Sequence, residues 1–393
     1  MKVEVRSKEI VRPSSPTPQS LNNYKLSFMD QLALNVRIPF VFFYDSSSGA
    51  YSHDGHTNTI DELKKSLSKT LSLMYPLAGR VKEDKVTIEC NDEGVEFIVA
   101  DVAEIMSCLL ENPEMEKIRQ LSPSAKVYEP QPVGKVLMAV QVNRFSCGGI
   151  AVGFFVSHAV LDGSTLAKFM EIWASFNRGC AVNENGFISN QSTILFPPLT
   201  DTSALERSVK MAAEAIQQEE KRMVVKRFVI PANAIAQLRE ELIRKENNKG
   251  LRRPSRTEAI TALDGAAAAA KLSRELDVRS HRSLRAAKDG AAVTAAQLVE
   301  KIRDSLRAVN DGAARKVYGE AGCCVRMPYY EIDFGWGKPR LVVNMVKNFM
   351  VLFLDASNGA IEVWMGLPKQ VMHTLTQDHH FLAYVSAFPK PKL

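Results

Sequence analysis

His158 and Asp162 stand four residues apart in the stretch Ser157-His158-Ala159-Val160-Leu161-Asp162-Gly163, and their types suit proton transfer. An imidazole changes charge near neutral pH, so a desolvated, oriented histidine works there as a general base. The carboxylate beyond it is by default the N-cap of a following helix. A lone histidine at such a place is more commonly a hydrogen-bonded core residue. However, with seven histidines in the chain, only roughly 0.02 matches to His-x-x-x-Asp-Gly are expected by chance.

The flanking residues must present this pair. Lys135 to Phe145 and Ile150 to Ser157 are apolar, β-branched or aromatic runs joined by Cys147-Gly148-Gly149, the pattern of a hairpin. Side chains alternate along a strand, so Val152, Phe154, Val156 and His158 fall on one face. Leu166, Phe169, Met170, Trp173 and Phe176 recur at helical spacing, which predicts a helix from just after Gly163. His158 therefore lies where a buried strand ends and a helix begins.

The bulk properties bound the class. A chain of 393 residues is long enough for two or three domains, and 46% hydrophobic with 24% charged residues is ordinary for a globular protein. A net charge of +6 suits an anionic small molecule, while the clustered basic face with interleaved aromatics that nucleic acid wants is missing. Met1 to Val11 alternates charges and does not read as a secretory signal. No apolar run is long enough to span a bilayer. The six cysteines show no metal-ligand spacing, and adjacent Cys323-Cys324 read as core residues. These features fit a reduced, cytoplasmic compartment.

Elsewhere, Val11 to Pro18 is proline-rich and extended, and Val36 to Tyr44 reads as a buried strand. Apolar residues at 60, 63, 67, 71 and 74 predict an amphipathic helix that ends at Tyr75-Pro76. Short strands are expected on either side of Asn91 to Gly94. The alanine-rich, charged stretch from Ala204 is the candidate linker, set at 204–223, between domains at 1–203 and 224–393. Val224 to Ile230 predicts a strand and Ile235 to Ile243 a helix. Residues 229–317 contain no Phe, Trp or Tyr, although the chain has 18, 3 and 9 of them. Asp-Gly-Ala-Ala recurs there at Asp264, Asp289 and Asp311, which predicts three short helices broken by turns. Aromatics return at Tyr329-Tyr330 and Asp333-Phe334-Gly335-Trp336-Gly337, before a hairpin over Phe349 to Leu354 and Ala360 to Met365.

With both motifs in hand, the chain resembles the plant BAHD acyl-CoA-dependent acyltransferases. His158-Ala-Val-Leu-Asp162-Gly163 and Asp333-Phe-Gly-Trp-Gly337 carry the resemblance in the right order. Tyr75-Pro-Leu-Ala-Gly-Arg80 matches a third family motif, and Pro13 to Pro18 the leading segment. Arg12 to Leu21 with Tyr24-Lys25-Leu26-Ser27 is similar to the alkaloid acetyltransferase branch. Residues 1–260 and 326–393 are covered.

The resemblance implies an α/β fold of mixed sheets, in two chloramphenicol-acetyltransferase-like domains. An atypical Ala-rich helical segment at about 262–317 would be added to it. It also implies a channel between the domains, entered by acyl-CoA and the acceptor from opposite sides. His158 would be the base, and transfer would run directly from acetyl-CoA to a hydroxyl of an alkaloid or similar acceptor, with no metal. Asp162 would turn away and fix the loop through an arginine. Asp333 is carried as a second-rank catalytic residue, with Gly163, Phe334, Gly335, Trp336 and Gly337 as structural members of the motifs. Arg253, Ser255 and Arg256, just before a helix, fall where the family contacts CoA phosphates, which a basic group and a helix start would suit. The expected partners are two small molecules, with no nucleic acid or membrane, and the protein is expected to be a monomer.

The stretch from about 262 to 325 departs from the family pattern, being shorter and lacking its aromatic helix, Asn-Leu-Arg segment and Gly-Asn turn. Natural divergence, mis-splicing and rebuilding are all open for it. The arginine partner of Asp162 is unassigned, with Arg279, Arg282 and Arg285 as candidates. Two alternatives stay beside the acetyltransferase: a hydroxycinnamoyl or other acyl-CoA donor, and a folded family member that binds ligand without turnover.

Overall fold

The computed structural model describes residues 1–33, 36–45, 56–111, 113–124, 133–182, 191–201, 221–244, 328–345 and 350–385, with isolated positions at 188 and between 203 and 218, and 255–257 and 259–260. The three Asp-Gly-Ala-Ala repeats, Arg253, Arg279, Arg282, Arg285 and Cys323-Cys324 lie outside the described residues. Two compact units result: Met1–Gln218 with Met327–Val346, and Glu219–Arg326 with Lys347–Leu393.

The first unit is built on β1 (Val3–Val11), β3 (Arg37–Tyr44), β6 (Val95–Val102), β7 (Met138–Phe145), β8 (Ile150–Ser157) and β10 (Leu341–Asn344). They form one six-stranded sheet in the order β1-β6-β7-β8-β3-β10. Only β6 and β7 run parallel, so the sheet is mixed. Every residue of β3 and β8 is buried, which explains their continuous apolar character: strands covered on both faces lose polar alternation. A second sheet in this unit joins β2 (Asn23–Lys25), β5 (Thr87–Glu89) and β4 (Arg80–Val81). The strands expected around Asn91 to Gly94 thus belong to different sheets, and their link is not a hairpin. Asp92 and Gly94 both take positive φ there, which turns the chain from one sheet toward the other.

A short α1 (Phe28–Leu32) precedes β3, and two longer helices cover the main sheet. In α2 (His56–Leu73), Leu63, Leu67 and Leu71 form a fully buried stripe. It packs on α3 (Gly163–Asn177), whose Trp173 donates its indole N–H to the Leu63 carbonyl at 3.2 Å and to Ser66 Oγ at 3.1 Å. On the sheet, Phe40 and Phe42 stack with Phe154 of β8 and meet Tyr329 at ring-centroid distances of 5.1 and 5.8 Å.

Tyr329 and the Asp333–Gly337 motif belong to this first unit. The cause is strand pairing. β10 runs antiparallel to β3, matching Leu341 with Phe43 and Asn344 with Phe40, so the segment before it is laid on the same sheet.

In the second unit, β12 (Ile361–Pro368) lies between β11 (Met350–Asp355) and β9 (Met223–Ile230), all antiparallel. Its core joins Phe228 and Ile230 to Ile235, Leu238 and Leu242 of α4 (Ala232–Arg244), and to Val363, Met365 and Phe381. No helix among the described residues is long and apolar enough to cross a membrane.

Candidate active site

His158 directly follows β8. Its N–H donates to the Val36 carbonyl at 2.8 Å, at the start of β3, so the ladder between these two strands continues one step past β8. Ala159 next to it is buried in a small core with Leu26, Val81, Ile88 and Leu137. His158 itself is half-buried. That combination fixes the backbone while leaving part of the residue accessible.

The turn after His158 is closed locally. Val160 and Leu161 donate to the Ser157 carbonyl at 3.1 and 3.3 Å, and Asp162 becomes the N-cap of α3. Its Oδ1 accepts from the Thr165 N–H at 2.7 Å and from the Ser164 hydroxyl at 3.0 Å. Asp162 thus holds the loop by capping, and among the described residues no arginine pairs with it. Burial alone would raise the Asp162 carboxyl. The Thr165 and Ser164 donors, with the neighbouring His158, outweigh that and hold it below the usual carboxylate range.

A carboxyl whose folded value is lowered stabilises the fold above its unfolded value, and that stabilisation is lost as pH falls through the folded value. Asp162→Ala is therefore expected to cost about 1 kcal/mol at neutral pH, the usual worth of an N-cap. The difference from wild type should shrink in acid as the wild-type carboxylate is protonated. Thermal melts at neutral and acidic pH check this. An Asp162→Asn protein with the wild-type melting temperature and full rate would remove the holding role.

Sequence reasoning noted Tyr329 only as the return of aromatics. Fully buried, it donates its hydroxyl to the Gly163 carbonyl at 3.1 Å and so ties the start of α3 to the segment before β10. Burial, together with the negative charge of Asp162, pushes this phenol well above the ordinary tyrosine range. The 166 residues separating donor and acceptor explain why no local pattern announced it.

Another group missed was Asp30. Ser27 and Asp30 form a reciprocal capping box: Ser27 N–H and hydroxyl donate to Asp30 Oδ2 at 2.8 and 2.7 Å, and the Asp30 N–H returns to Ser27 Oγ. Ser27-x-x-Asp30 before an apolar run was a readable capping signal. Burial raises the Asp30 carboxyl, opposed by the Ser27 donors; Asp162 raises it further and His158 lowers it.

Asp333 is placed differently. Its Oδ1 accepts from the N–H groups of Gly335 and Gly337 at 2.7 and 2.9 Å, closing its own turn. Gly335 and Gly337 have φ of +99° and +86°, which favours glycine at both positions. Phe334 stacks on Trp336 and meets Trp173 and Tyr44 edge-on. Asn177 donates to the Phe334 carbonyl at 2.7 Å, and Arg178 to that of Asp333. The motif thus locks the C-terminal end of α3, the helix whose other end carries Asp162. Among the described contacts, none joins Asp333 to His158.

In the second unit, a helical stretch begins just after Ser255, whose carbonyl accepts from Ala259 at 3.1 Å. Arg256 pairs with Asp355 at 2.7 Å and donates to the Gly359 carbonyl at 3.3 Å, so it braces the turn between β11 and β12. Arg253, expected beside them, is outside the described residues.

Against known proteins, a family model described as "Transferase family" matches residues 1–280 and 270–382. A limonoid 21-O-acetyltransferase of Melia azedarach is 36% identical over 440 aligned residues, covering 99% of this chain and 99% of that protein. Vinorine synthase of Rauvolfia serpentina is 30% identical, covering 95% and 96%. The crystal structure of vinorine synthase superposes with a TM-score of 0.73 over 98% of both chains, at 26% identity. F. graminearum TRI101, solved with Coenzyme A and T-2 mycotoxin, shares the fold at a TM-score of 0.66 and 15% identity, over 92% of this chain and 99% of that one.

Proposed function

Because the chain belongs to the Transferase family of BAHD acyltransferases, we propose that it transfers an acetyl group from acetyl-CoA to a hydroxyl of a polycyclic specialised metabolite, with His158 as general base. The observation that carries this is the half-buried His158, held by its N–H between β8 and β3 and flanked by Asp162 at the start of α3.

In the proposed reaction, His158 takes the proton of the acceptor hydroxyl as its oxygen attacks the thioester carbonyl. The tetrahedral adduct collapses, the C–S bond breaks, and the imidazolium returns the proton to the departing sulfur. The products are an acetyl ester and free CoA. Asp162 and Tyr329 keep the loop in place. On the donor side, Arg253, Ser255 and Arg256 are our candidates for the CoA phosphates, with Arg256 shared with Asp355. The Asp333–Gly337 motif supports the C-terminal end of α3.

Relatives named as limonoid acetyltransferases reach 36% identity, and those named for alkaloid chemistry reach 30% over most of the chain. These relatives support limonoid-like or alkaloid alcohols as the proposed acceptors, and our reading takes the protein to be a cytoplasmic monomer. The test is thiol release from acetyl-CoA with a panel of both alcohol classes. Transfer to at least one alcohol is expected. Turnover only with hydroxycinnamoyl-CoA would change the donor, and tight CoA binding without turnover on any pair would overturn the enzyme reading.

A further inference from the structure

We propose that Ser15 is a phosphorylation site. Its hydroxyl, in the exposed Ser15-Pro16 step of the leading segment, takes the γ-phosphoryl group of ATP from a proline-directed Ser/Thr kinase. Basic side chains on and beside the α2 face beneath it receive the new phosphate. This site is independent of the acyl-transfer reading.

Three steps in the chain place a proline after a hydroxyl-bearing residue: Ser15-Pro16, Thr17-Pro18 and Ser122-Pro123. Proline has no N–H, so a kinase groove that offers no acceptor at that position selects it over other residues. The residue before a proline is also held extended, the form in which a segment lies along such a groove. By spacing alone the three are equivalent.

Their surroundings separate them. Ser122 is buried, and its hydroxyl donates to the Ser124 carbonyl at 3.0 Å. Thr17 is half-buried and held by Asp92: its N–H donates to Oδ2 at 2.7 Å and its hydroxyl to Oδ1 at 2.6 Å. A phosphate on Thr17 would lose that bond and stand against the carboxylate. Ser15 is exposed, and among the described residues its hydroxyl makes no hydrogen bond.

Other groups of the segment dock it on α2. The Ser14 N–H donates to the Ser68 carbonyl at 3.0 Å, the Ser68 hydroxyl to the Arg12 carbonyl at 2.7 Å, and the Ser15 N–H to Ser72 Oγ at 3.0 Å. The Ser14 and Ser72 hydroxyls share a further bond of 3.0 Å. Ser68 and Ser72 are one turn apart, so Arg12 to Ser15 runs along one face of the helix. Lys65 and Lys69 stand three residues before them and border the same face. The Lys69 ammonium lies over the Phe176 ring, 6.0 Å from its centroid. Both lysines and Arg12 are exposed, and among the described residues none of the three makes an ion pair.

In the modification, Ser15 Oγ attacks the γ-phosphorus of ATP as its proton passes to the kinase's base. The new O–P bond forms, the bond from that phosphorus to the β,γ-bridging oxygen breaks, and ADP leaves. The phosphoserine carries a charge of about −2 at neutral pH and three strong acceptor oxygens. Beside an anchored backbone and three cations without ion pairs, that charge holds the segment to α2 more firmly.

The test treats the full chain, native and heat-denatured, with a purified proline-directed kinase and ATP, and maps the phosphate by mass spectrometry. The native chain is expected to carry one phosphate, on Ser15, and the denatured chain to be labelled at Thr17 and Ser122 as well. Ser15→Ala should abolish native labelling, and Thr17→Ala should keep it. The phosphorylated chain should melt about 2 °C above the unmodified one, a gain lost in the double variant Lys65→Gln with Lys69→Gln. Absence of phosphate from Ser15 in the native chain, whether or not the denatured chain carries it, would overturn the site. Native labelling at Thr17 or Ser122 would do the same. A melting temperature that falls on phosphorylation, or a rise that survives in the double lysine variant, would overturn the receiving role of the α2 lysines.

Discussion

His158→Ala is expected to lower kcat/KM for acetyl transfer by roughly a thousandfold, with CoA affinity and melting temperature close to wild type. General-base catalysis by a positioned side chain is worth about 10²–10⁴ in rate. The carboxylates of the two motifs do not stand ready to replace it, because Asp162 is engaged with Thr165 and Ser164, and Asp333 with Gly335 and Gly337. The fold should barely notice the change. The structural bond of His158 is made by its backbone N–H to Val36, and the core contact by its neighbour Ala159, so alanine preserves both. Steady-state rates, a thermal melt and CoA titration check the three expectations together. A variant that keeps more than a tenth of the wild-type rate would mean that another group takes the proton.

The second large effect is on stability. Phe334→Ala is expected to cost about 3–5 kcal/mol, the usual range for emptying a buried phenylalanine site. Phe334 is 1% exposed, with ring centroids 5.3 Å from Trp336, 5.0 Å from Trp173 and 5.9 Å from Tyr44. These three rings come from the motif, from α3 and from β3, so collapse around the cavity requires three elements to move. For a unit of this size that loss lowers the melting temperature by on the order of 10 °C. Activity measured well below the melt should fall less than stability does. The motif supports the far end of α3 through Asn177 and Arg178, while the His158 end is tied separately by Asp162 and Tyr329. Differential scanning calorimetry alongside low-temperature rates checks this. A variant that melts normally but loses all activity would give the motif a direct part in the chemistry.

What could be read without a structure was local. The β7–β8 hairpin, the α2 stripe at Leu63, Leu67 and Leu71, and the helix after Gly163 all follow from side-chain periodicity. The capping capacity of Asp162 followed as well, since an N-cap bonds within three residues of itself. The β11–β12 hairpin and β9 were legible for the same reason.

Residue types and spacing alone set the chemistry on offer: one imidazole at a strand end, a carboxylate four residues on, and a distal aromatic motif. What surrounds them follows from packing between distant segments. Pairing of β10 with β3 joins Leu341 to Phe43 and so moves the aromatic motif into the first unit. In β8, a Cβ on Gly153 would lie 1.9 Å from the Leu121 carbonyl oxygen, so packing requires glycine there. Tyr329 reaches Gly163, and the α1 segment reaches His158, through contacts that no periodicity encodes. Such contacts depend on which faces are buried together, and burial is a property of the whole sheet and its covering layers, not of neighbouring residues in the chain.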